Sequence, residues 1–362
     1  MNRRRTVAVM TALAVAGALV GALLRPGAGS IDENSPVHGD ADLAAQTLEQ
    51  LSTESVYALS IAEVSPEGTR TATIGAPLDG TFEIGSVSKP VTGLLYAEAV
   101  ERGEVQPETT LGKIFELGDA DAGQVTLEEL SQHRSGLPRL PASLTLLLNS
   151  YRWLLLGHNP YREEPADVVD DLRGVSVGEK DPAYSNLGFA ALGLALAEAA
   201  GMSYPELVAS RLAEPLGLET FYAPEHGEGA DHPQAVSGRA ASGRSQAPWD
   251  SSGYAPAGGV RADAESMAVL AQALLAEEAP GASALEPSAE YDEATRIGAG
   301  WLTREENGRE ITWHNGQTGG FSTWFGLDRE HGTAVFISAA SDRPVDDAGR
   351  ALLLEAGRSH DA

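Results

Sequence analysis

Alternating apolar and polar residues mark both ends of the chain, and apolar residues at helical spacing fill the region between them. Near the N-terminus, residues 56–64 and 69–74 flank a turn that contains proline and glycine, which predicts a β-hairpin. A short third strand is predicted at 81–84. Alternation returns after Ile297 and predicts four more strands, at 299–304, 309–314, 321–327 and 333–338.

Helical spacing predicts a first helix at 43–51 and a second that begins at Ser86. Gly85 ends the short strand before the second helix, and Gly103 stops that helix. The middle of the chain is mainly helical by pattern. The predicted helices there and at the C-terminus are 187–200, 204–212, Ala264–Leu275 and Asp346–Ala356.

Strands at both ends with helices between them predict an α+β fold. We expect an antiparallel sheet flanked by helices, with a helical region inserted between its N- and C-terminal strands. The domain would cover 43–362, with an α/β part at about 43–102 and 291–362 and a helical insertion at about 103–290. Residues 30–42 are polar and rich in turn formers, and we expect a short tether there.

The first 29 residues indicate export. They contain Arg3, Arg4 and Arg5, an apolar run from 6 to 24, small residues after Pro26, and no acid. The segment is a signal peptide or, because the run just reaches the length of a membrane span, an uncleaved N-terminal anchor. The protein is therefore expected to be secreted or held at the cell surface.

Composition narrows the classes of function. The chain has no cysteine, which excludes a catalytic thiol, a disulfide framework and a lipoprotein anchor. Its net charge of −27 would repel phosphate backbones and anionic lipid heads, so no nucleic-acid partner is expected. Contact with a membrane is expected only through an uncleaved N-terminal anchor.

The strongest candidate for chemistry is Ser86 with Lys89. Residues three apart share a helical face, and a lysine kept neutral by burial and by a neighbouring positive group can accept the proton of a serine. Lysine is rare here, since Lys89, Lys113 and Lys180 are the lysines among 25 basic residues. The alternative is a helix cap beside a surface lysine.

Two further segments offer groups that suit acyl transfer. Tyr184 and Asn186 lie in a turn before the apolar run at 187–200, where they can supply a phenol for proton transfer and an amide for a carbonyl. Residues 313–321 run from a strand into a glycine-rich bend, where Gly316 permits close approach and the Gln317 N–H can join that of Ser86 in an oxyanion hole. Separately, each segment also fits an ordinary turn.

Taken together, these motifs resemble the class C serine β-lactamases and the related penicillin-binding D-alanyl carboxypeptidases and esterases. Residues 132–138 and 256–261 are similar to structural landmarks of that family. The resemblance implies its fold, no metal or organic cofactor, and a small-molecule or peptide substrate such as a cell-wall peptide. It implies Ser86 as nucleophile, Lys89 as activator, Tyr184 as general base or acid and Asn186 as a contact to the substrate amide.

The third motif departs from the β-lactamases, which have lysine-threonine-glycine or a serine variant there. His314 replaces the lysine and Asn315 the hydroxyl residue, while Gly316 is kept and Gln317 follows. We expect all four residues to bind the substrate. At neutral pH this site offers less positive charge to an anionic substrate. We therefore expect a D-alanyl peptide or a small ester as substrate. A true β-lactamase and a non-catalytic protein that binds wall peptides or a partner remain the alternatives.

Two segments stay open. The leucine-rich stretch Leu144–Leu156 predicts a helix buried against the core, with a lid or wall for a lipophilic substrate as the alternative. His226 and His232 flank acidic residues in a loop that is either solvated or able to hold a metal ion. No Gly-x-Ser-x-Gly elbow, zinc-protease helix or phosphate-binding loop occurs in the chain.

Overall fold

A nine-stranded antiparallel sheet forms the centre of the molecule in a computed structural model, which describes residues 29–32, 34–142, 144–225, 227–229 and 232–357. The strand order is β1-β3-β2-β12-β11-β10-β9-β8-β7, so the N-terminal hairpin pairs with the last strand of the chain. The strands of this sheet are β1 (Val37–Gly39), β2 (Leu59–Ser65), β3 (Gly68–Ile74), β7 (Ala289–Glu290), β8 (Thr295–Ile297), β9 (Leu302–Glu306), β10 (Arg309–Gln317), β11 (Ser322–Asp328) and β12 (Thr333–Ala339).

Helices cover both faces of the sheet, as the α+β expectation required. The helices are α1 (Ala41–Gln50), α2 (Ser88–Glu101), α3 (Leu111–Ile114), α4 (Leu127–Ser131), α5 (Leu144–Leu156), α6 (Pro165–Gly174), α7 (Asn186–Ala200), α8 (Tyr204–Val208), α9 (Glu214–Leu216), α10 (Ala255–Gly258), α11 (Ala264–Leu275) and α12 (Asp346–Ala356). A π-helical segment, Ala209–Ala213, joins α8 to α9, where the spacing predicts one continuous helix.

Alternate side chains of β12 pack into two separate hydrophobic cores, one on each face of the sheet. Val335 and Ile337 pack on the side of α1 and α12, whereas Ala334 and Phe336 pack on the side of α2 and α11. Every residue of β12 is buried, because helices cover it on both sides. The two faces explain why the C-terminal strands contain apolar residues at successive positions rather than at every second one.

The N-terminal region differs from the prediction. Residues 30–42, expected to be a tether, contain strand β1 and the first residues of α1. β1 pairs with β3 at the edge of the sheet, and Ile31 is buried in the core beneath α1. The exposed side chains of β1 gave no apolar alternation, and so the pattern could not reveal this strand. Residues 1–28, which include the predicted export segment, lie outside the described residues.

A second, small sheet lies between the main sheet and the helical region. It consists of β5 (Phe221–Tyr222), β6 (Arg261–Ala262) and β4 (Phe82–Glu83), in the order β4-β6-β5. The short strand predicted before Ser86 is therefore real but belongs to this sheet rather than to the main one. The C-terminal part of the main sheet begins slightly earlier in the chain than expected, because β7 lies in the stretch assigned to the helical insertion.

Helix α5 contradicts the expectation that Leu144–Leu156 is buried. Leu148, Tyr151 and Leu155 are 56%, 57% and 66% exposed, while Asn149 on the opposite side is buried. In the described part of the chain no single helix is long and apolar enough to cross a membrane, although Asn186–Ala200 and Tyr204–Leu216 pass that test together as a pair bent by 78°. The first of these two is a buried core helix.

A buried ion pair joins the small sheet to the segment that carries Ser86. Arg261 of β6 donates to Glu83 Oε1 of β4 at 2.7 Å, and both side chains are almost fully buried. The same carboxylate oxygen accepts the backbone N–H of Trp249 at 3.0 Å. Removing one partner of such a pair leaves an uncompensated buried charge. Glu83 thus connects three chain segments a few residues from the candidate nucleophile.

We predict that Arg261→Met lowers the free energy of unfolding by about 3–5 kcal/mol, because it leaves the Glu83 carboxylate buried without its cation. Urea unfolding followed by circular dichroism measures this loss. The matched control is Arg296→Met, whose exposed pair with Glu310 should contribute at most about 1 kcal/mol. Equal, small losses in both variants would contradict the structural role of the buried pair.

Candidate active site

Ser86 lies in a tight turn rather than in the regular helix. Gly85–Val87 forms one turn of 3₁₀ helix, and α2 begins at Ser88, two residues later than predicted. Gly85 has a φ of +54°, which a residue with a side chain rarely adopts, so a glycine precedes the nucleophile for conformational reasons. The irregular first turn also accommodates Pro90, which needs no backbone N–H there.

Lys89 lies directly beside Ser86. Its Nζ lies 3.1 Å from Ser86 Oγ and donates to the carbonyl oxygen of Ala257 at 2.7 Å. The side chain is fully buried, and burial is the main reason that the pKa of Lys89 lies well below its ordinary value; the nearby charge of Arg139 lowers the pKa further. Both conditions that we set for a proton-accepting lysine are therefore met.

Tyr184 contacts the same serine from another side. Its hydroxyl donates to Ser86 Oγ at 2.6 Å. Burial raises the pKa of Tyr184, although the hydrogen bond to Ser86 and the charge of Arg139 act in the opposite direction. Because the pKa of Lys89 is lowered and that of Tyr184 is raised, Lys89 suits the role of base and Tyr184 that of acid.

The turn that presents Tyr184 also caps helix α7. Ser185 is the N-cap, and its hydroxyl accepts the N–H of Gly188 at 2.8 Å while donating to the carbonyl of Pro138 at 2.7 Å. Asn186 is the first residue of α7 and lines the same cleft as Ser86. Its Oδ1 is buried and has no hydrogen-bond partner among the described residues, which leaves it able to accept an N–H from a substrate.

His133 is a functional neighbour that sequence reasoning treated only as part of a landmark. Its ring packs against Tyr184 and Phe189, both with centroids 4.7 Å away, and its Nδ1 accepts the backbone N–H of Ser185 at 3.2 Å. Its carbonyl accepts the N–H of Ala183 at 2.8 Å. His133 has a φ of +57°, uncommon outside glycine, and such a conformation at a conspicuous motif is the signal that points to it. It positions the tyrosine turn.

Strand β10 brings the third motif against the serine turn. A Cβ on Gly316 would lie 2.0 Å from the carbonyl oxygen of Ile84 and 3.0 Å from the nitrogen of Ser86, so only glycine fits. Likewise, a Cβ on Gly85 would lie 2.7 Å from the backbone nitrogen of Gln317. The backbone nitrogens of Ser86 and Gln317 thus lie on the two sides of one narrow gap, as an oxyanion hole needs.

The side chains of the third motif point in different directions. His314 is buried and does not line the cleft; its Nδ1 lies 2.6 Å from the carbonyl oxygen of Asn315. Burial, followed by the proximity of Lys89, lowers the pKa of His314 to about 3, so the ring is neutral at physiological pH. Asn315 donates to Asp346 at 2.7 Å, and the Gln317 side chain donates to the carbonyl oxygen of Asp342 at 3.0 Å.

The cleft has a volume of about 520 Å³ and opens over Ser86. Aromatic side chains form much of its wall, and these are Trp153, Tyr161, Tyr184, Trp249 and Tyr254. Arg139 is the cationic residue in the lining, with its guanidinium 5.1 Å from the centroid of the Tyr184 ring. No hydrogen bond or ion pair of the Arg139 side chain is formed within the described residues, which leaves its charge available to a ligand.

A metal centre has no support in the described residues, since no group of three or more potential ligands comes together there. His226, one of the two histidines considered for a metal, lies outside those residues. His232 stacks on Tyr222 with ring centroids 4.2 Å apart, and burial lowers its pKa.

The chain belongs to the β-lactamase family, whose model matches residues 56–358. This confirms the resemblance inferred from the three motifs. The D-alanyl-D-alanine-carboxypeptidase/endopeptidase AmpH of Escherichia coli K12 is 28% identical over 152 residues, which are 41% of this chain and 38% of AmpH. Beta-lactamase-like protein 2 of Dictyostelium discoideum is 27% identical over 158 residues, 40% of this chain and 27% of that protein. The matches thus cover less than half of these relatives.

Solved structures confirm the fold. A class C β-lactamase from Rhodobacter sphaeroides has a TM-score of 0.73 and 18% identity, covering 89% of this chain and 99% of its own. The D-alanine carboxypeptidase AmpC from Burkholderia cenocepacia has a TM-score of 0.73 and 19% identity, covering 88% and 99%. A β-lactamase/D-alanine carboxypeptidase from Pseudomonas syringae also scores 0.73, at 15% identity, covering 89% and 100%.

We predict that acylation of Ser86 by a short p-nitrophenyl ester speeds up as pH rises, because Lys89 must lose its proton to act as a base. The midpoint of kcat/KM against pH should lie well below 10.5, the ordinary value for lysine. Arg139→Gln should move this midpoint up by roughly half a unit, since the guanidinium lowers the pKa of Lys89.

Arg134→Gln is the matched control for this profile. Arg134 lies in the same segment, outside the cleft, and donates to the carbonyl oxygen of Glu290. Its loss should leave the midpoint unchanged. A midpoint at or above 10.5 in the unaltered protein would show that Lys89 is not the neutral base.

Proposed function

We propose that this protein is an exported serine hydrolase that acts through an acyl-enzyme on Ser86, with D-alanyl peptides or small esters as substrates. The observation that carries the proposal is the position of Ser86 Oγ, 3.1 Å from the Nζ of a buried lysine and 2.6 Å from a protonated phenol. The predicted export segment supports placement outside the cytoplasm, where peptides of the cell wall occur.

In the acylation step, neutral Lys89 takes the proton of Ser86 as the serine oxygen attacks the substrate carbonyl carbon. The carbonyl oxygen becomes an oxyanion that the backbone N–H groups of Ser86 and Gln317 stabilise. Tyr184 gives its proton to the leaving nitrogen or oxygen, the bond to the leaving group breaks, and Lys89 returns a proton to the tyrosine. A water molecule, activated by the same groups, then hydrolyses the acyl-enzyme.

The charges in the cleft favour a D-alanyl peptide over a β-lactam. His314 is neutral, so the position that carries lysine in β-lactamases supplies no positive charge here. Asp346 accepts the hydrogen bond of Asn315 at the same end of the site, which adds a negative charge there. Arg139 lies over Tyr184, the proton donor to the leaving group, and is placed to bind the carboxylate of a departing D-alanine. Three of the related proteins described above are D-alanine carboxypeptidases by name, and one of these is named a β-lactamase as well.

We predict that a fluorophosphonate or a penicillin forms a covalent adduct with the unaltered protein, seen as one added mass in intact-protein mass spectrometry. Ser86→Ala should form none, because the attacking oxygen is absent. Persistence of the adduct in Ser86→Ala, or no adduct in either protein, would overturn the acyl-enzyme proposal. The second result would also favour a binding protein over an enzyme.

We predict that Arg139→Gln raises KM for a D-alanyl-D-alanine peptide about 10- to 100-fold, the loss of one charge-assisted hydrogen bond. KM for a neutral p-nitrophenyl ester should change by less than about 2-fold, because that substrate carries no carboxylate. Both should be measured on the pH plateau, so that the shift in the Lys89 pKa does not contribute. Arg134→Gln again serves as control.

The ranking of substrates completes this test. We expect turnover of the peptide or of the ester to be well above that of a chromogenic cephalosporin. A higher turnover of the cephalosporin would show that the neutral His314 does not disfavour β-lactams. An equal rise in KM for peptide and ester in Arg139→Gln would assign Arg139 a general role in the shape of the cleft instead of carboxylate recognition.

A further inference from the structure

Helix α5 carries nearly all the large apolar side chains that the described part of the chain leaves exposed. They are Leu148, Tyr151, Leu154, Leu155 and Leu156, each 53% to 66% exposed, and the sixth is Val37 on the edge strand β1. Scattered single apolar residues on a surface are normal, but a contiguous apolar patch marks a binding surface. The patch therefore needs an occupant.

The geometry of the helix shows that this patch faces away from the substrate cleft. Asn149 and Trp153, four residues apart, share the inner face; Asn149 is buried and Trp153 lines the cleft, with its ring 6.5 Å from that of Trp249. Leu148, Tyr151 and Leu155 follow the i, i+3, i+7 spacing of a second face, on the far side of the helix. Leu148, Tyr151 and Leu155 accordingly face away from the cleft, whereas Trp153 of the same segment forms part of its wall.

The charge around α5 contrasts with that of the whole chain. The chain has 52 acidic residues, yet no Asp or Glu occurs between Glu129 and Glu163. The same stretch contains four arginines, at positions 134, 139, 152 and 162. A second acid-free stretch, between Asp231 and Asp250, contains Arg239 and Arg244. Of these arginines, Arg152 lies on α5 itself. An apolar helix face with an adjacent arginine and no acid in the helix is the pattern of helices that lie in the interface of a membrane.

The second acid-free stretch is attached to α5. Arg244 donates to the carbonyl oxygens of Leu154 and Leu155, at 3.1 and 2.9 Å, and so satisfies the C-terminal end of the helix. In the same stretch, Ala241 donates its N–H to Asp342, which also lines the cleft. The apolar patch, this arginine-containing loop and the mouth of the cleft therefore belong to one side of the molecule.

The start of the described chain lies on that side too. Ser30 Oγ accepts the N–H of Ser55, whose carbonyl oxygen accepts the hydroxyl of Ser341, next to Asp342. Tyr57 donates to the carbonyl oxygen of Ala241 at 3.0 Å.

We propose that the outer face of α5 docks on the surface of a lipid bilayer that contains anionic lipids. Leu148, Tyr151 and Leu155 would enter the interface, and Arg152 would reach the headgroups. The acidic remainder of the protein is repelled by such a surface, so docking through this face fixes the orientation. Because Trp153 lies on the inner face of the same helix, the cleft opens close to the membrane.

The absence of cysteine allows a direct test on the full chain. Leu155→Cys is labelled with bimane and mixed with vesicles of phosphatidylcholine and phosphatidylglycerol at 3:1, in which part of the phosphatidylcholine is brominated. We expect a blue shift of the bimane emission and quenching of at least about 30%. Both effects should be weaker in 0.5 M salt or with pure phosphatidylcholine, because either condition removes the attraction between the arginine and anionic headgroups. Val37→Cys, the exposed apolar residue away from α5, is the matched control and should not respond.

Two outcomes would overturn the proposal. One is an absence of quenching at position 155 while the protein floats with the vesicles, since attachment would then occur elsewhere in the chain. The other is a blue shift that appears without vesicles and grows with protein concentration, which would assign the face to a second copy of the chain. Arg152→Glu in the Leu155→Cys background should lower the apparent affinity for the mixed vesicles about 5-fold or more, by reversing the charge next to the apolar face.

Discussion

The burial of Lys89 without an acidic partner is the constraint on which the site depends. A buried ammonium would need a carboxylate to balance it, and among the described groups the one charge that contributes to its lowered pKa is the positive one of Arg139. Burial and the charge of Arg139 accordingly favour the neutral form of the lysine, and Ala257 holds its nitrogen beside Ser86. Glu83, the nearest buried acid along the chain, is committed to Arg261 and does not reach Lys89.

The backbone supplies the other half of the chemistry. Gly316 lets β10 pass directly against Ile84 and Ser86, which brings the backbone of the third motif beside the serine turn. Tyr184 contacts Ser86 from the turn before helix α7. His133 fixes that turn by accepting the backbone N–H of Ser185 at its Nδ1. The proton acceptor, the proton donor and the oxyanion site therefore rest on a helix turn, a helix start and a strand, which are stiff elements.

Much of this could be predicted from sequence because short-range geometry determines it. The Ser86–Lys89 spacing, the turn that carries Tyr184 and Asn186 and the glycine at 316 each express a local rule, and so do the main strands and helices. Partner-dependent features could not be predicted: β1 has exposed side chains and forms only because β3 offers an edge. The leucines of α5 have the composition of a buried helix, and only their surroundings reveal that they face outwards. His314 was expected to contact substrate, yet alternation along β10 turns its ring inwards.

The pairing of strands that lie far apart in the sequence has a consequence for how the site forms. Strand β2 pairs with β12, and Gly316 of β10 packs against the turn that carries Ser86. The N-terminal strands and the serine turn therefore need the C-terminal strands as partners. Pairings this distant in sequence form late in folding. A newly made chain that is still unfolded therefore carries an ordinary serine and a lysine exposed to water. The lowered pKa of Lys89 and its position beside Ser86 arise only in the folded protein.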